Sequence, residues 1–184
     1  MKSLAPLLIA LAAACSDAQA GNPPRSSGGS PQLATPAQPT IALAGRVTDA
    51  ANVLDAAQEA SLSQRLEQLE HETRRQMVIV TVPTLGGRAI DAFTRDLGNA
   101  WGIGRADYDD GLILLIAPHE RQVRIAVGYG LEKVLPDALC KKIIDEKMLP
   151  PFREGDLPRG IEAGARALID RLAALGPASV STHM

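Results

Sequence analysis

Six carboxylates, Asp49, Asp107, Asp109, Asp110, Glu132 and Asp137, are the side chains of this chain with the best claim to chemistry. Three lie in the loop Asp107-Tyr108-Asp109-Asp110-Gly111, which feeds an unbroken apolar run from Gly111 to Ala117. A polar turn at Pro118–Arg121 leads into Gln122–Val127, which empties into Gly128-Tyr129-Gly130-Leu131-Glu132. Two strands joined by so short a connection form a hairpin that returns the chain to where it began. Asp109, Asp110 and Glu132 are therefore expected as neighbours at one end of a sheet. Carboxylates gathered in this way suit a divalent cation, or a site that handles charged oxygens through one. Asp49 joins them only if its strand is adjacent. Asp137 reads equally as the N-terminal charge of a helix and Asp107 as a loop charge. The competing reading of the whole set is a solvated acidic loop plus helix caps.

Other chemistries fit poorly. Asp107 to Pro118 begins like a calcium-binding helix–loop–helix motif, but Leu112 and Pro118 stand where Gly and Glu are required. Gly128-Tyr129-Gly130 lacks the third glycine of a dinucleotide fingerprint, Lys133 taking its place. The two glycines are better explained by a tight bend out of the sheet. Ser61 and Ser63 are the only serines within the domain. Both fall on the helix that also carries His71, and His119 falls in the hairpin turn, so no Ser-His-Asp set is expected. Zinc lacks clustered His and Cys. Cys140, on a predicted helix, reads as a small buried hydrophobe. Arg124 is expected to pair with a carboxylate; holding a phosphate oxygen is its other possible role.

The elements that must position these groups are legible in the pattern. Arg46-Val47-Thr48 is a short strand ending at Asp49. Asp55 and Gln58 form a capping box for a helix whose Leu62, Leu66 and Leu69 share a face. Met77–Val82 is a β-branched strand. Ile90, Phe93, Leu97 and Trp101 recur at helical spacing, Trp101 being a core anchor, and Gly102 stands at the C-terminal cap. Gly111–Ala117 reads as a strand covered on both faces. Val123, Ile125 and Val127 alternate with polar neighbours as in a half-covered strand. Ala138–Met148 is a helix broken by Pro150-Pro151. A last helix starts at Asp156, with Ile161, Ala165, Leu168, Leu172 and Leu175 on one face and Gly160 and Gly164 permitting close packing. Strand, helix, strand, helix, hairpin, helix, helix predicts an α/β fold: a mixed central sheet sandwiched by helices on both faces. Sites in such sheets favour the carboxyl ends of the parallel strands.

Several segments together resemble the TPM domain family of bacterial envelope proteins and of a thylakoid lumen protein linked to photosystem II repair. They are Arg46-Val47-Thr48-Asp49 with Asn52-Val53-Leu54, Trp101-Gly102-Ile103-Gly104, Asp109 through Ala117, Arg124 through Glu132, and Pro151-Phe152-Arg153-Glu154-Gly155-Asp156. They stand in the family's order between Gly45 and Leu172. The resemblance implies the same α/β fold and an acidic cleft associated with calcium and acid phosphatase activity. Residue by residue it implicates Asp49, Asp110 and Glu132. Many family members have Asn where Asp109 stands. The expected metal set is thus Asp49, Asp109, Asp110 and Glu132, with calcium the expected ion.

The ends of the chain bear on location. At 184 residues there is room for one domain with tails. Lys2 and the apolar stretch Leu4–Ala14 read as an export signal over residues 1–20, too short for a membrane span. Ala12-Ala13-Ala14-Cys15 resembles a lipobox, and Ala18-Gln19-Ala20 is an alternative cleavage site. The position of Cys15 directly after the apolar stretch favours the lipobox. Residues 21–40 hold five Pro, three Gly and three Ser, the composition of a linker. The domain then runs over 41–175, with a tail at 176–184. An extracytoplasmic place follows, as a periplasmic lipoprotein anchored through Cys15, or as a secreted protein. With a net charge of −2 and no basic stripe or aromatic platform, nucleic acid is not an expected partner. Two functions remain open. One is a cation-binding module that docks on an envelope membrane protein complex in its assembly or repair. The other is a metal-dependent acid phosphatase.

Overall fold

The computed structural model describes residues 41–105 and 107–177. The expected signal, anchor and linker, and all but the first two residues of the expected tail, lie outside the described residues. Among the described residues no helix is long and apolar enough to cross a membrane.

Four strands form one sheet in the order β1 (Val47–Asp49), β2 (Gln76–Thr81), β3 (Gly111–Ala117), β4 (Gln122–Val127). The first three are parallel and β4 is antiparallel to β3. This is the expected mixed sheet. Its direction follows from the connections: α1 (Ala56–Thr73) and α2 (Ile90–Trp101) are crossovers, which return the chain to start each new strand from the same end. Only the β3–β4 link is a hairpin.

Both faces are covered. Leu62, Leu66 and Leu69 of α1 share one core with Met77, Ile79, Leu112, Leu114 and Ile116. Val78, Val80, Ile113 and Leu115 face the other way, against Phe93 and Leu97 of α2. Every residue of β3 is buried, as its continuous apolar run predicts. Each Leu or Ile taken fully out of water there contributes about 1.5–3 kcal/mol. On β4, Val123, Ile125 and Val127 turn to the first core. Its opposite face is not bare: Arg124 Nε lies 3.0 Å from Asp91 Oδ1 of α2, the structural pairing expected of it.

Local signals hold where they rest on backbone chemistry. Asp55 and Gln58 close the capping box reciprocally, at 2.8 and 2.9 Å. Gly102 caps α2 with φ of 61°. Trp101 is half-buried, and its indole N–H donates to the Ile41 carbonyl at 3.0 Å.

Two expectations fail. Pro150-Pro151 does not break the chain's helical course. α3 (Asp137–Ile143) passes through a π-turn at Ile144–Met148 into α4 (Leu149–Arg153). Pro150 falls in the first turn of α4, where a missing N–H is tolerated and a fixed φ fits, and the wider π-turn precedes it. Leu175 lies beyond the end of α5 (Leu157–Ala173) and is 36% exposed, so the apolar face of that helix stops at Leu172.

Gly160 and Gly164 of α5 do permit close packing, but not equally. A Cβ on Gly160 would strike the Phe152 ring and come within 2.9 Å of the Met148 carbonyl. One on Gly164 would meet only the Met148 side chain, at 2.6 Å from its sulfur. A flexible thioether can move aside and a carbonyl cannot. We expect Gly160→Ala to destabilise the domain by about 2 kcal/mol in urea unfolding, and Gly164→Ala to cost clearly less. Equal costs would contradict this packing.

Candidate functional site

The sequence places four carboxylates in one site; the structure divides them between two ends of the sheet. Because β1, β2 and β3 are parallel, Asp49 stands at a carboxyl end, paired with Thr81. Asp110 immediately precedes β3, whose Gly111 pairs with Gln76 at the start of β2. The length of β2 separates the two ends, roughly 16 Å at about 3.3 Å per residue. Asp49 therefore does not lie beside Asp109, Asp110 and Glu132.

Asp49 has a different occupation. Its Oδ2 accepts the Leu54 N–H at 2.8 Å, and its Oδ1 accepts the Thr81 hydroxyl. The Thr81 Oγ1 in turn accepts the Ala51 N–H at 3.1 Å. Together they latch the loop between β1 and α1, in which Asn52 takes a left-handed conformation with φ of 53°. Both carboxylate oxygens are committed to that loop.

At the other end the hairpin does what its length predicts. The Gly128 N–H donates to the Gly111 carbonyl at 2.8 Å, and the Gly130 N–H to the Asp109 carbonyl at 3.1 Å. Asp109, Asp110 and Glu132 are thus at the same end. The glycines serve the backbone contact itself. A Cβ on Gly128 would collide with the Asp109 carbonyl, and one on Gly130 with the Tyr108 carbonyl. Gly111 is crowded in the same way by the Ile103 carbonyl. These positions are filled by protein backbone.

Asp110 is the buried acid of the group, at 4% exposure. Its Oδ1 accepts the Arg105 N–H at 3.0 Å, and its Oδ2 accepts the Arg105 Nε–H at 2.8 Å and an Nη2–H as well. The hydrogen bond to Asp110 holds the Arg105 guanidinium above its ordinary range. The same guanidinium lies 3.9 Å from the centre of the Tyr108 ring. Arg75, at the start of β2, is a second cation near Asp110: burial lowers its pKa and the charge of Asp110 opposes that. Asp110 is therefore the closing bolt of the 105–110 loop. Nothing in the spacing from Arg105 to Asp110 corresponds to a regular element, so no periodicity could have identified this pair.

What remains open to solvent is a groove between α2 and β4 of about 370 Å³. Asp109 and Glu132 both line it, together with Asp91, Asn99, Arg124 and Tyr129. Asp91 is held by Arg124. Asp109 and Glu132 are exposed, and Asp109 has φ of 45°. Tyr129 stands at the groove with 80% of its surface exposed. The motif Gly-Tyr-Gly drew attention for its glycines, yet the tyrosine between them is its exposed feature. Among the described residues no three carboxylate, imidazole or thiol side chains converge as a metal-holding group. The four-residue metal set is not assembled in this arrangement.

The remaining residues fall out simply. Asp107 is exposed in its loop, and Asp137 is an exposed first-turn residue of α3. His71 and His119 are exposed. Cys140 is buried, and burial pushes its thiol up to about 11, so it stays protonated and inert at neutral pH.

Residues 47–171 match the model of the TPM domain. The chain belongs to the TPM domain family. Its TPM domain is similar to the N-terminal domain of a P. gingivalis protein solved by NMR in solution. That match has 35% identity and a TM-score of 0.65, covering 70% of this chain and 82% of that one. It is also similar in fold to the BA42 protein of the psychrophilic bacterium Bizionia argentinensis, at 15% identity and a TM-score of 0.58, covering 67% and 84% of the two chains. The N-terminal domain of the cg2496 protein of Corynebacterium glutamicum shares the fold at 16% identity and a TM-score of 0.56, covering 80% and 95%. No curated protein matches the chain.

We expect Asp110→Asn to destabilise the domain by about 2 kcal/mol, the loss from removing a buried charge-assisted pair whose cation is half in water. Asp109→Asn, at an exposed position, should stay within about 0.5 kcal/mol of the parent. Urea unfolding of both variants checks the contrast, and a neutral Asp110→Asn would remove Asp110 from its structural role.

Proposed function

We propose that this TPM domain is a binding module of the cell envelope, carried outside the cytoplasm and tethered through a lipidated Cys15 and the 21–40 linker, that docks on a membrane protein complex during its assembly or repair. The observation that carries this reading is the α2–β4 groove, with Tyr129 exposed at it and Asp109 and Glu132 on its wall, in no ion pair among the described residues. A tyrosine supplies a large, rigid, amphipathic contact at small entropic cost, the usual anchor of a protein interface. The two carboxylates give the groove an acidic margin. A calcium ion there would take oxygens from Asp109 and Glu132 and complete its shell with the Asn99 amide, with water or with a partner's oxygens, which makes it a weak, partner-completed site. The anchor sequence and the Pro/Gly/Ser-rich tether support a domain held off a membrane surface within reach of such a complex.

The metal-dependent acid phosphatase stands second. That chemistry needs a metal-bound water or a free nucleophile beside a second group that moves a proton. Asp110 spends its oxygens on Arg105 and Asp49 lies at the far end of the sheet. Asp109 and Glu132 remain, and the third carboxylate lining their groove, Asp91, is held by Arg124.

In this account Tyr129→Ala leaves the fold intact and abolishes docking. Affinity capture from solubilised envelope membranes, followed by quantitative mass spectrometry, should recover a reproducible membrane protein with the parent domain. Recovery should fall at least about tenfold with the variant, as for loss of one interface anchor of about 2 kcal/mol. The same partner recovered equally well by Tyr129→Ala would sink the assignment of the groove.

A further inference from the structure

A second hollow opens at the carboxyl end of β3, on the opposite side of the sheet's length from Asp110, and the docking reading does not use it. Its volume is about 630 Å³, well within the size of cavities that enclose small organic ligands. Ile116, Val123, Leu149, Phe152 and Leu157 give it apolar walls, drawn from the sheet, from α4 and from the start of α5. Two arginines also line it, Arg121 and Arg153, and among the described residues no carboxylate does. Neither arginine belongs to an ion pair among the described residues. The hollow is thus lined by apolar side chains and by two exposed arginines that form no ion pair among the described residues.

The placement of Arg121 is firmly built. It ends the hairpin turn, with its N–H donating to the Pro118 carbonyl at 3.1 Å. Its φ of 55° is a left-handed conformation that glycine or asparagine adopts with less strain. The turn is pinned from the other side by Glu120, whose Oε1 accepts the Thr84 hydroxyl at 2.7 Å and the Leu85 N–H at 2.8 Å. On the opposite wall the Phe152 ring is seated over Gly160, so α4 presents Arg153 from a fixed position. A hollow with apolar walls and a few polar groups has the anatomy of a ligand pocket.

We propose that this hollow binds an anionic amphiphile: a single carboxylate or phosphate head held by Arg121 and Arg153, with an apolar body against Phe152, Leu149 and Val123. Guanidinium groups form charge-assisted hydrogen bonds to either head, and the body gains by leaving water. Cationic or uncharged ligands of the same shape lack the first contribution.

The test is calorimetric titration of the full chain with decanoate, with decyl phosphate and with decyltrimethylammonium, each below its micellar concentration. One or both anions should bind saturably at one molecule per chain, and the tighter of the two assigns the head group. The cationic amphiphile should not bind. A variant carrying Arg121→Ala and Arg153→Ala should lose at least about tenfold in affinity, the scale of one charge-assisted contact, with an unchanged urea midpoint. Methyl shifts of Ile116 and Leu149 on adding the anion locate the site in the parent chain without any variant. The proposal is overturned by no saturable binding of either anion, by equal binding of the cation, by unchanged affinity in the folded double variant, or by shifts confined to other residues.

Discussion

Two stretches of backbone meet before β3 and after β4 with no side chain between them, and the end of the sheet that faces the α2–β4 groove depends on that contact. Gly128 and Gly130 rest on the carbonyls of Asp109 and Tyr108, while Gly111 rests on the carbonyl of Ile103. Any Cβ would push the loops apart. Close approach lets the ladder continue past β4, through the Gly128 and Gly130 N–H groups. It also shuts Asp110 in, so that its charge must be met inside the protein, and Arg105 meets it. The same contact leaves Asp109, Tyr129 and Glu132 on the outer side, exposed. Structural and available residues are thus sorted by which side of a glycine contact they fall on.

Carboxylates hold loops at both ends of the sheet, Asp110 at the amino end of β3 among them. At the carboxyl ends of the strands Asp49 and Glu120 are loop latches, each accepting a backbone N–H and a threonine hydroxyl. Those hydrogen bonds hold the Glu120 carboxyl below its ordinary range, the Leu85 N–H contributing most and the Thr84 hydroxyl next. With the acids of that end so engaged, the unpaired charge lining the nearby hollow is the positive charge of Arg121 and Arg153. At the amino end of β3, Asp109 and Glu132 belong to no ion pair among the described residues.

Much of the fold was legible because it rests on local rules. The continuous apolar run of β3, the alternation along β4, the capping box of α1 and the C-terminal glycine of α2 each have one physical explanation. The neighbourhood of Asp109, Asp110 and Glu132 followed from the hairpin alone. Asp49 was misplaced although the rule that places it was available: two helical crossovers make β1, β2 and β3 parallel. A residue ending β1 and a residue preceding β3 then lie at opposite ends. The pairing of Asp110 with Arg105, and of Asp49 with Thr81, was not legible, since each depends on loop geometry or on strand neighbours that no periodicity encodes. Pro150-Pro151 misled because proline stops a helix in its interior but not in its first turn.

The fold leaves Asp109 and Glu132 exposed while Asp49 and Asp110 hold loops. The direct measurement is a two-dimensional amide NMR titration of the domain with calcium. Shifts confined to Asn99 and to the Asp107–Asp109 and Tyr129–Lys133 amides, with Asp49 to Leu54 and Thr81 unmoved, are what this arrangement predicts. Joint movement of Asp49 and Asp110 with those residues at the same calcium concentration would contradict it, and would restore the single four-carboxylate site.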